Sequence, residues 1–230
     1  MRISLGATCA LAAAALAVVS PVEAQQGRAG FAVLQFEDGG SYGQDKADFR
    51  ALELGIPELL AARLSGHPDV RVVERGRLTQ AMRAHSLRPA QRIDAATASR
   101  IGKSVGARYA VTGSFADFYG KFRINARLVD AETGQILKVV SNDDARMQDR
   151  AQLSAIIESV SEKIVGAVGL PPYPAPGSHA TVPADAITMY SRGLLLESQT
   201  DRTQAAEEYQ RALTASPGFD EARAGLQRVR

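Results

Sequence analysis

Residues 109–137 read YAVTGSFADFYGKFRINARLVDAETGQIL. In the middle of this stretch Phe122, Ile124, Ala126 and Leu128 alternate with Lys121, Arg123, Asn125 and Arg127, so one face of the segment is dry and the other wet. Tyr119-Gly120 before it is short enough for a tight hairpin turn. Ala131 to Gly134 after it closes a second hairpin, with Gly134 in the positive-φ place that glycine tolerates best. Three hairpin-linked strands are therefore expected, and a sheet of this kind needs helices against its dry face.

Those helices and further strands are legible outward from the hairpins. FAVLQF, from Phe31, is a short apolar run suited to a strand buried on both faces. In FRALELGIPELLAARL, Leu52, Ile56, Leu59, Leu60 and Leu64 recur at helical spacing, and Pro57 is expected to kink that helix or to begin it. DVRVVER reads as a strand. GRLTQAMRAHSL and DAATASRIGKSVG read as short helices, the second capped by Asp94. Downstream, Leu153, Ile156, Ile157, Val160, Ile164 and Val168 form the stripe of an amphipathic helix running roughly from Asp149 to Val168. The fold class expected is α/β (α+β): a mixed sheet with packed helices, followed by a small all-α tail.

The ends of the chain differ from this middle. Arg2, an apolar run from Leu5 to Val19, Pro21, and small residues before Gln25 form a secretory signal over residues 1–24. Cys9, the only cysteine, lies inside it, so the mature chain is expected to carry neither a disulfide nor a lipid on that thiol. No later segment is apolar for the roughly 20 residues a spanning helix needs. The periplasm is the expected compartment. Residues 28–169 form the α/β domain, 170–183 (LPPYPAPGSHATVP) a proline-rich linker, and 184–230 a helical tail.

Gly193, Ala205, Tyr209, Ala212 and Pro217 stand in the tail at the spacing of a helix-turn-helix repeat, and the tail resembles the tetratricopeptide (TPR) repeat. One such unit cannot bury its own apolar face, so it must dock on the domain, on another copy or on a partner. A groove around Tyr190, Leu194 and Tyr209 is the expected contact. The α/β domain itself resembles the periplasmic domain of the CsgG family, proteins of curli assembly and transport, and the related TolB N-terminal-like domains. FAVLQFED, LLAARL, VRVVERGRL, SRIGKSVGARYAVTGS and above all LVDAETGQIL carry the resemblance. It implies an oligomerising or partner-binding scaffold. The pore of the curli channel is not implied, because the two hairpin loops leave no room for membrane-spanning inserts and no lipidation cysteine follows the signal.

GFAVLQFEDGGSYGQ, residues 30–44, has a glycine-rich loop after its strand, but its glycines fit neither the Walker nor the dinucleotide spacing, and Asp38, Asp45 and Asp48 oppose a phosphate. His67, His85 and His179 form no metal-ligand pair, and there is no nucleophile elbow. No enzyme activity, cofactor or metal is expected. Between Arg63 and Arg108 nine arginines and Lys103 face only Asp69, Glu74 and Asp94, which makes Arg71, Arg75 and Arg77 candidates for an anionic or acidic partner. Few aromatics interleave them, so nucleic acid is not expected. The sequence thus points to a non-enzymatic envelope accessory protein acting on other envelope proteins or by self-association, with peripheral outer-membrane association compatible with it. The alternative is a periplasmic receptor that binds a small ligand or cell-wall glycan near Asp38 to Gln44.

Overall fold

A computed structural model describes residues 27–43, 45–87, 92–142, 146–174 and 181–230. The expected signal segment with Cys9, the linker residues 175–180 with His179, and Gln44 lie outside them. Six strands are formed: β1 (Ala29–Asp38), β2 (Val70–Val72), β3 (Tyr109–Phe118), β4 (Lys121–Asp130), β5 (Ile136–Ser141) and β6 (Gln148–Asp149). They make one mixed sheet in the order β2-β1-β3-β4-β5, with β1 parallel to β2 and β3, and β4 antiparallel to β3 and β5. The short β6 pairs with the start of β4, Lys121 opposite Asp149. The α/β expectation is met, and so is the turn chemistry: Tyr119, Gly120 and Gly134 all have positive φ.

The alternation in β4 decides which layer its apolar residues join. Phe122, Ile124, Ala126 and Leu128 join Phe31, Val33, Phe36, Val111 and Phe115 under α1 (Lys46–Ser65) and α4 (Leu153–Ala167). Ala32, Leu34, Ala110 and Val129 on the other side meet α2 (Arg75–Ala84) and α3 (Ala95–Ser104) through Leu78 and Ile101. Asp94 caps α3 as expected, accepting from Thr97 N at 2.7 Å. Helix α1 continues through Pro57, which is buried inside it, so the proline does not begin the helix. Helix α4 starts at Leu153, where its apolar stripe begins, and not at the expected Asp149, because Asp149 is held in the sheet and its carboxylate caps a short 3-10 turn, accepting from Ala151 N at 2.9 Å.

The tail is three helices, α5 (Ala184–Ser198), α6 (Arg202–Ala215) and α7 (Asp220–Val229), and it docks on its own domain. Helix α5 packs along α1 and also touches α4. The two come closest at Gly55, where an added methyl carbon would stand 2.7 Å from Ser191 Cβ. Arg192 reaches Asp48 at 2.6 Å beside this crossing. A single apolar core runs without a break from the sheet through Leu59 and Leu60 to Ile187, Leu194 and Tyr209.

The crossing gives a direct check. Gly55→Ala forces the two helices apart and is expected to cost about 2 kcal/mol, as overpacking of a fitted core does. Urea unfolding would register the loss, and Ser191→Gly in the same chain is expected to restore most of it.

Candidate interaction surfaces

The sheet ends at β5, whose outer side pairs with no other strand among the described residues. Its first four residues are all exposed. Ile136, Leu137 and Val139 are 48%, 44% and 55% accessible, three of the six large apolar side chains that the described chain leaves in solvent. Ile136 pairs with Val129 and Val139 with Arg127, positions two apart on β4, so both lie on the same face of the sheet. The register shift between Leu128 and Val129 puts them there by leaving Leu137 as an extra residue. An unpaired edge bearing apolar side chains is a template for another strand.

Past Ser141 the ladder is finished by a side chain. The buried Asn142 accepts from Ile124 N at 2.8 Å through Oδ1, and its Nδ2 donates to Gln148 Oε1 at 2.7 Å and lies 3.5 Å from Phe122 O. It stands in for backbone along β4 between β5 and β6.

The glycine-rich loop after β1 closes on itself. Asp38 Oδ1 accepts from Gly40 N, Ser41 N and Ser41 Oγ at 3.1, 2.8 and 2.6 Å. The amides that would face a ligand are thereby occupied by a carboxylate of the same loop. Ser41 Oγ in turn accepts from Asp117 N at 3.0 Å, and Tyr42 N donates to Asp117 O at 2.7 Å, which binds the loop to the end of β3. The Asp117 side chain, 1% accessible, accepts from Gly120 N at 2.7 Å and faces Arg150 Nη1 at 3.0 Å. What this loop shows to solvent is Tyr42, stacked on Phe118 with ring centres 5.8 Å apart.

The groove expected around Tyr190, Leu194 and Tyr209 is filled from within. All three are buried, and the Tyr209 ring lies where a Cβ on Gly193 or Gly225 would come within 2.6 or 2.7 Å. Small residues at those two positions are what let α5 and α7 close on the ring. Its hydroxyl donates to Glu197 Oε2 at 2.6 Å, and the Arg228 guanidinium bridges both Glu197 oxygens at 3.1 Å. Arg75 completes the set, 3.3 Å from Glu58 and 3.7 Å from Glu197. Of the expected site residues, the structure thus brings Arg75, Tyr190 and Tyr209 together, as a seam between α1, α2 and the tail. Burial raises the Glu58 carboxyl above its ordinary range in spite of Arg75. Burial pushes Glu197 the same way, but hydrogen bonds from Arg228 and Tyr209 outweigh it and leave that carboxyl depressed.

Much of the basic surface is neutralised locally. Arg63 pairs with Glu158, Arg92 with Glu37, and Arg108 with Asp130 and Glu132. Arg71 donates to Gly106 O at 3.1 Å. Arg77, Arg83 and Lys103 are exposed and make no ion pair among the described residues. His67 is buried, its Nδ1 accepting from Asp69 N and its Nε2 meeting Pro171 O at 3.0 Å, so it ties the start of the linker to the domain. Among the described residues no group of three acidic, histidine or cysteine side chains could hold a metal, and no helix is long and apolar enough to cross a membrane.

Sequence reasoning read β5 as a strand but missed its exposure. QILKVVS itself points the other way, since an apolar run at successive positions is the pattern of a strand buried on both faces. Asn142 and Asp117 gave no signal, since nothing local marks a polar side chain that will be buried.

No family model matches the chain, and no curated protein matches it in sequence. Similar solved structures include the C-terminal domain of LpoB from Salmonella enterica, with 20% identity and a TM-score of 0.37, covering 50% of this chain and 80% of that one. The NMR structure of Escherichia coli LpoB has 15% identity and a TM-score of 0.38, covering 61% and 78%. TolB from Acinetobacter baumannii has 13% identity and a TM-score of 0.36, covering 70% of this chain and 30% of that one.

Two measurements test these surfaces. Asn142→Leu removes the stand-in bonds and is expected to cost about 2 kcal/mol, the penalty for stranding buried backbone groups, with hydrogen exchange at Ile124 N–H sharply accelerated. The glutamates of the seam should titrate in opposite senses about the ordinary value of 4.5. A carboxyl raised by folding penalises the fold above its folded pKa, so wild type gains on Glu58→Gln as pH falls from neutral towards 4.5. A depressed carboxyl stabilises above 4.5, so wild type loses ground to Glu197→Gln below that pH. Urea midpoints between pH 7 and 3 would show both slopes.

Proposed function

We propose that this protein is a non-enzymatic accessory or scaffold of the periplasm, acting by protein–protein contact in envelope assembly or secretion. The observation that carries the reading is the open β5 edge, with Ile136, Leu137 and Val139 in solvent. An edge strand of that composition is a liability unless a partner covers it. Export by a signal over residues 1–24 is part of the same proposal, as is a CsgG- or TolB-N-like identity for 28–169 and a TPR-type identity for the tail. The two tight hairpin turns, at Tyr119-Gly120 and Ala131 to Gly134, support an accessory role over a pore.

In this reading the tail serves the domain and not the partner. Its groove holds the chain's own Tyr209, so the contact falls to the sheet edge, with the free cations Arg77, Arg83 and Lys103 as a second surface. The receptor alternative has less support, because the Asp38 carboxylate already occupies the amides of its loop.

The test is site-specific photocrosslinking in living cells. A photoreactive phenylalanine in place of Val139 is expected to give one discrete adduct with a second periplasmic protein. The same group in place of Gln210, exposed on α6, gives none. Equal labelling from both positions, or none from 139, would overturn the reading.

A further inference from the structure

The chemistry of β5 also says which kind of strand belongs beside it. Lys138 is the only charged residue between Ile136 and Ser141, it is exposed, and it makes no ion pair among the described residues. It pairs with Leu128 across the ladder, on the face opposite to Ile136 and Val139. A strand laid along β5 would therefore set its side chains against aliphatics on one face and a lone ammonium on the other.

A second copy of this chain does not supply that. Pairing β5 with its own copy brings up a strand whose only charge is again Lys138. The strand at the other end of the sheet order, β2, carries Val70, Arg71 and Val72, again with only a cation. Neither offers a carboxylate, and like charges placed across a ladder are destabilising. A lysine on an otherwise apolar edge is also a common guard against self-pairing. Here it guards selectively, because it repels basic strands and would be satisfied by an acidic one.

We infer that β5 receives an extended segment of another protein, apolar at the positions facing Ile136 and Val139 and acidic at the position facing Lys138, in β-augmentation of the sheet. This rests on the reading of β5 as the contact edge. The open edge of β5 is six residues long, so the segment is short.

The test uses two fluorescein-labelled nine-residue peptides of alternating valine and threonine, one with a central glutamate and one with a central lysine. Wild-type protein is expected to bind the glutamate peptide about fivefold more tightly, the scale of exchanging a favourable cross-strand charge pair for a repulsive one. Lys138→Glu, an exposed change that leaves the core intact, is expected to reverse the order. Amide hydrogen exchange should slow on binding at Ile136–Val139 and not at β2. If both peptides bind equally and still protect β5, the edge reading stands and the acidic partner is overturned. If neither peptide binds, both fall. If the β5 amides become protected with rising protein concentration alone, the occupant is a second copy and the inference is overturned. In Lys138→Val the guard is gone, so light scattering should show self-association that wild type lacks; a monomeric variant would overturn the guarding role.

Discussion

Helix α1 has two buried sides, and most of the molecule is arranged to satisfy them. Ala51, Leu52, Ile56, Leu60 and Leu64 are all under 2% accessible and together take up more than half of the helix circumference, a belt too wide for a single surface of contact to hide. The sheet and α4 take one side; α5 takes the other, admitted by the absence of a side chain at Gly55. The tail is thus less an appendage than the missing layer over α1. Its own helices fold around Tyr209 because α5, once fixed on α1, presents Gly193 to that ring.

This accounts for what could be read from the residues and what could not. Alternation in β4, the stripe in α4, Asp94 as a cap and the glycine turns are all local, and each set of residues carried its own geometry. The docking of the tail was left open between three targets because a helix pair shows an apolar face without showing what covers it. Pro57 stands inside the helix and not at its start for a related reason: its missing N–H is a local cost, outweighed in a helix gripped from both sides. The expected site residues divided along the same line. Tyr190 and Tyr209 were singled out for their size and position, and the same properties made them interior; Arg77, chosen for charge alone, stayed outside.

The polar groups of the interior repeat one device, a side chain doing what backbone would otherwise do. Asn142 completes a ladder, Asp117 holds a turn, Asp38 fills its own loop, and Ser99 donates to Ala131 O at 2.7 Å to bind α3 to the end of β4. Each satisfies buried or half-buried donors and acceptors that would otherwise be costly.

The continuity of the core has a consequence for how the chain can be cut. The α/β part and the tail are joined by one proline-rich strand of backbone, yet they are held by helix packing, by Arg192 on Asp48 and by the seam at Glu197. Cleavage between Pro174 and Thr181 would sever the covalent link without opening the interface. The nicked molecule should travel as one particle, its two pieces parting only in denaturant, because packing and not the covalent link at that point holds the finished structure together.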